Sequence, residues 1–70
     1  MKDLVEKDVR FSITVFGEKG PEPSAFTGRV AEVEGTIILI VNCRQLGKEY
    51  TCPDTWHNMA SIFFNWIQVI

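Results

Sequence analysis

Two thiols and one imidazole have the greatest chemical reach in this chain: Cys43, Cys52 and His57. Their spacing, C-x8-C-x4-H, matches no standard zinc pattern, and a single histidine leaves the ligand set short of what a structural zinc takes. We expect neither a metal nor a cofactor. A nucleophilic reading would place Cys52 at the start of a C-terminal helix, where the dipole lowers a thiol pKa, with His57 about one turn on. Five positions apart on a helix, the two side chains project about 140° from one another. No orienting third group or oxyanion donor can be named either. The expectation is a protein that is not an enzyme.

The cysteines have two quieter readings. If Gly47-Lys48 forms a two-residue turn, Arg44 faces Thr51, and Cys43 faces Cys52 at a non-hydrogen-bonded position, where side chains come closest. As a thiol pair they could close a cross-strand disulfide worth about 2–3 kcal/mol. The alternative is two buried thiols packing as small apolar residues in a reducing compartment.

Other chemistries find less support. Gly17, Gly20, Gly28, Gly35 and Gly47 are too scattered for a phosphate-cradling loop. Arg10, Arg29 and Arg44 could line a sheet face with Phe16 or Phe26, as a single-strand nucleic-acid platform would. Seven basic against nine acidic residues give a net charge of −2, so no nucleic-acid partner is expected.

The elements that must position these groups are legible from patterning. Val9, Phe11, Ile13 and Val15 alternate with polar residues and predict a half-buried strand over 9–16. Gly17-Glu18-Lys19-Gly20-Pro21-Glu22-Pro23 predicts a loop, because proline cannot donate to a ladder. A second strand over 25–33 contains Gly28, which signals a bulge or the close approach of another backbone. Glu34-Gly35 predicts a hairpin turn. Residues 36–43 are β-branched and apolar on both faces, as in a strand covered on both sides or lying in a curled sheet. A short fourth strand is expected over Glu49 to Cys52.

The segment 53–70 predicts a helix. Thr51 and Asp54 form a capping-box pattern with Pro53 in the first turn. At 100° per residue, Trp56, Met59, Ala60, Phe63, Phe64, Ile67 and Ile70 share a face, and Ile62, Trp66 and Val69 widen it to an arc of roughly 220°. The expected fold is therefore α+β: an N-terminal lead over 1–8, an antiparallel three- to four-stranded β-meander over 9–52, and one C-terminal α-helix packed on a sheet face.

From Thr55 to Ile70 there is no formal charge, but the run is too short and too interrupted by polar residues to span a bilayer. No membrane partner is expected, and the charged first residues lack the apolar run of a signal peptide, which predicts a cytoplasmic protein. Seventy residues form one small domain with little core to spare. Covering a further roughly 500 Å² of apolar surface would contribute about 12 kcal/mol before association costs. The reading is a non-enzymatic interaction module, a homodimer joined through the C-terminal helix or the second sheet face. Its expected interface residues are Ile62, Trp66, Val69, Ile38 and Ile40, with Trp66 equally placed to be core. The alternative is a small acidic inhibitor or adaptor of the phage or mobile-element kind. It would dock on a larger protein through Glu18, Glu22, Glu32, Glu34 and Glu49.

Overall fold

The computed structural model describes residues 2–49 and 51–70. One antiparallel sheet holds five strands: β1 (Asp8–Gly17), β2 (Gly20–Glu34), β3 (Ile37–Gln45), β4 (Thr55–Asn58) and β5 (Phe64–Val69). Their order across the sheet is β4-β3-β2-β1-β5, so the first four strands form a meander and the fifth returns to pair with β1. A single 3-10 turn at Lys2–Leu4 precedes them. The lead is tied to β2 by a bond from Glu6 N–H to the Val30 carbonyl at 2.7 Å, and by one from Val30 N–H to the Lys7 carbonyl at 3.0 Å.

The sheet is curled into a half-barrel. Its connectivity requires this. In a flat sheet β4 and β5 would stand about 19 Å apart, four strand spacings. They are joined by residues 59–63 alone, which make two successive turns rather than running extended. The curl brings the inner side chains together into a core of Val9, Phe11, Phe26, Val30, Ile38, Ile40 and Cys43. Phe11 sits centrally, its ring stacked at 5.5 Å on Phe26 and at 6.0 Å on Phe64.

The α+β expectation is corrected: among the described residues there is no α-helix, and 53–70 forms β4, two turns and β5. Two polar side chains redirect the chain. Asn58 Oδ1 accepts from Ala60 N–H at 2.9 Å and from Thr36 Oγ1 at 3.0 Å, while Ser61 Oγ accepts from Phe63 N–H at 3.1 Å. Short polar side chains that capture nearby N–H groups offer the backbone an alternative to the helical ladder. Backbone bonds from Ser61 to Asn58 and from Phe64 to Ser61, each 3.0 Å, complete the two turns. The sheet accordingly has five strands, four of them in the meander and the fifth added beside β1.

Other boundaries shift for physical reasons. The expected loop over 17–23 is mostly strand: Gly17 pairs with Gly20, Phe16 with Pro21, and Thr14 with Pro23. Val30 N–H faces β1 and Thr14 N–H faces β5, and this alternation turns the nitrogens of Pro21 and Pro23 away from β1. They point to the side where β3 has already ended, so no ladder bond is lost. The hairpin turn falls one residue later than read, at Gly35-Thr36, with Gly35 at a φ of 63°. At Gly28 both expected features occur. The β2–β3 register shifts between Thr27 and Arg29, with Asn42 opposite at a φ of 53°. A Cβ on Gly28 would also lie 2.5 Å from Ile40 Cγ2. The fourth strand read over Glu49 to Cys52 reduces to a bridge between Arg44 and Thr51, and Tyr50 lies outside the described residues.

Candidate functional site: two open edges and a thiol-lined cavity

β4 and β5 are the ends of the sheet, each paired on one side only among the described residues. Edge strands present unpaired backbone groups and are where another chain can add. Large apolar side chains gather on and between them: Trp56 on β4, Ile62 and Phe63 in the connector, then Trp66, Val69 and Ile70. Ile62 is the most open at 87 % exposure, and Trp66 stands at 44 %.

Register explains why Trp66 stays outside, whereas Val69, opposite Val9, lies on the inner side and is half exposed because β5 is an edge. Val9, Phe11 and Ile13 point into the core, so Ser12, Thr14 and Phe16 point outward. Trp66 lies opposite Ser12 and takes the outer face with it. The ladder slips between Ser12 and Ile13, leaving Asn65 as an extra residue on β5. Its side chain clamps the bulge: Nδ2 donates to Ser12 Oγ at 3.1 Å, and Oδ1 accepts from Thr14 Oγ1 at 3.3 Å. Phe16 extends the outer patch, packed edge-on against Phe63 at 5.4 Å. At the other end of the sheet Trp56 pairs with Leu39, again outward.

The residues read from sequence as an interface therefore separate. Ile62, Trp66 and Val69 are open to solvent, whereas Ile38 and Ile40 are wholly buried and offer no surface. The alternation that turns Leu39 outward sends its two neighbours into the core. Phe16, Trp56, Phe63 and Ile70 join the exposed set, and sequence reading had not singled them out as interface. Phe26, considered above as a stacking platform, belongs to the core.

The thiols and imidazole converge at the inner face. A cavity of about 180 Å³ is lined by Phe11, Ile13, Phe26, Cys43, Cys52, Pro53, Thr55 and His57. Both cysteines are free thiols, Cys43 buried and Cys52 partly so. Burial, together with the hydrogen bond and proximity of the Cys52 thiol, pushes Cys43 up to about 12. His57 sits opposite Ile38 with its ring 5.2 Å from that of Phe11. Burial lowers its pKa from the ordinary imidazole value, which favours the neutral form.

A second, shallower hollow of about 500 Å³ lies over Asp8, Thr27, Gly28, Arg29, Asn42 and Ile70. Its guanidinium is engaged, with Arg29 Nε and Nη2 donating to the Glu6 carbonyl at 3.3 and 3.2 Å. Among the described residues no cluster of three or more His, Cys, Asp or Glu could hold a metal ion. No helix among them is long and apolar enough to cross a membrane. No protein-family profile matches the chain, and comparison with curated proteins and with solved structures finds no match in either.

Proposed function

We propose that this protein is a non-enzymatic interaction module that self-associates through the apolar strip formed by β4, β5 and the connector between them. One observation carries the reading. Trp56, Ile62, Phe63, Trp66, Val69, Ile70 and Phe16 all remain exposed in a chain of only seventy residues. At about 200 Å² per large apolar side chain, their open fractions amount to on the order of 800 Å². A standard interface takes about the same from each partner.

A second copy suits this surface because Thr55 to Ile70 contains no Asp, Glu, Lys or Arg. Two such strips can meet without juxtaposing like charges, a cost that often decides against a partner. Sedimentation of the full chain at micromolar concentration tests the proposal. The expected result is a species heavier than the 8.0 kDa protomer, with Ile62→Asp weakening association about tenfold or more. A cooperatively folded protomer that stays monomeric throughout that range overturns it.

A further inference from the structure

We infer that Cys43 and Cys52 form a dithiol site at which a small-molecule disulfide is reduced and an intramolecular Cys43–Cys52 disulfide is formed. This inference does not depend on self-association, since it rests on the inner face and on the 43–52 hairpin. Cys52 N–H donates to the Cys43 carbonyl at 2.8 Å, and the adjacent residues Arg44 and Thr51 form an antiparallel bridge. The two cysteines are thus directly opposed at a hydrogen-bonded position. Sequence reading reached this register but assigned the other class of site. Opposed residues at such positions have Cα atoms about 5.5 Å apart, within the 4.4–6.8 Å that a disulfide accepts. Both side chains line the same small cavity, so neither has to leave its face for the sulfurs to meet.

The chemistry proceeds in two exchanges. Cys52, the more open thiol, loses its proton to solvent and attacks one sulfur of oxidised glutathione. The S–S bond breaks, one glutathione thiolate departs with the bonding pair, and water protonates it. Cys43 then gives up its proton and attacks the Cys52 sulfur of the mixed disulfide, expelling the second glutathione thiolate. Two protein thiols are oxidised and one small disulfide is reduced to two thiols. Burial holds the Cys43 thiol far above neutrality. The second exchange therefore speeds up with rising pH, as more of the Cys43 thiol is ionised.

The experiment treats the reduced full chain with oxidised glutathione, blocks residual thiols with N-ethylmaleimide, and digests with trypsin. Arg44 and Lys48 lie between the cysteines, so cleavage separates peptide 30–44 from peptide 49–70 unless a disulfide joins them. The expected product is that linked pair, released by reductant and recovered from monomeric protein. Its equilibrium yield against a glutathione buffer should be about tenfold or more higher for native protein than for protein in denaturant. In Cys43→Ala the reaction should stop at glutathione on Cys52. Persistent glutathionylation of the unsubstituted chain overturns the inference. So does a linked pair found only in cross-linked dimers, or a yield no higher for native than for denatured protein.

Discussion

Residues 9–43 supply every member of the buried apolar core, while no described residue from 51 to 70 is fully buried, although that stretch carries both tryptophans. The difference follows from position in the sheet. β1, β2 and β3 are each paired on both sides, whereas β4 and β5 have a neighbour on one side only. A central strand buries its inward side chains under the curl. An edge strand covers its neighbours' core and leaves much of its own apolar surface to something else. The inner strands supply the buried core, and residues 55–70 carry most of the large apolar side chains that stay exposed.

Predictions that break or sharpen this contrast run from large to small. Phe11→Ala removes the ring on which Phe26 and Phe64 stack and should cost about 3–5 kcal/mol of stability in denaturant titrations. Trp66→Ala, measured under conditions that dissociate any dimer, should cost well under half as much. Equal losses would erase the distinction between inner strands and edges. Next comes Gly28→Ala, which drives a methyl into Ile40 Cγ2 and should destabilise by about 1–3 kcal/mol. Asn58→Ala deletes the acceptor for Ala60 N–H and Thr36 Oγ1, and should cost about 1 kcal/mol by the same titration.

A pH dependence follows from His57. Its folded-state pKa lies below the unfolded value, so the unfolded chain binds the extra proton in the interval between the two. Stability from this group is complete above the ordinary imidazole pKa and declines as pH falls through that interval. Thermal unfolding followed from neutral to mildly acidic pH should show the decline, and His57→Gln should flatten it. The smallest effect on folding is expected at Ile62. Its replacement by Asp should leave monomer stability within about 0.5 kcal/mol, since surface changes rarely do more.

The inner strands were legible in the sequence because their apolar and β-branched residues recur at strand-like spacing. Val9 and Phe11 alternate as their side chains do, and the β-branched run over 36–43 reads as strand whichever residues face inward. The tail was not legible because two devices disguise its period. The bulge at Asn65 breaks the alternation, so Phe64 and Ile67 share the inner side at a helical spacing of three. Asn58 and Ser61 turn the chain through side-chain bonds that a hydropathy pattern does not register. An apolar arc of roughly 220° was itself the warning, since a helix covered that widely belongs deep inside a protein. A domain of this size has no such depth. The exposed residues Ile62, Trp66 and Val69 were reached by that route even though the element carrying them was misassigned. Ile38 and Ile40 were not, because a strand apolar on both faces does not reveal which half points inward.

The prolines of the first hairpin bear on how such a molecule avoids piling up. Residues 20–24 project beyond the end of β3 as a ribbon with one flank bare. On that flank Pro21 and Pro23 put pyrrolidine rings where amide hydrogens would otherwise invite a stranger. An intruding peptide finds carbonyl acceptors there but no proline donors, so it can form only half of a ladder. Strand addition at the tip is thereby disfavoured relative to the two outermost strands, whose edges carry no proline.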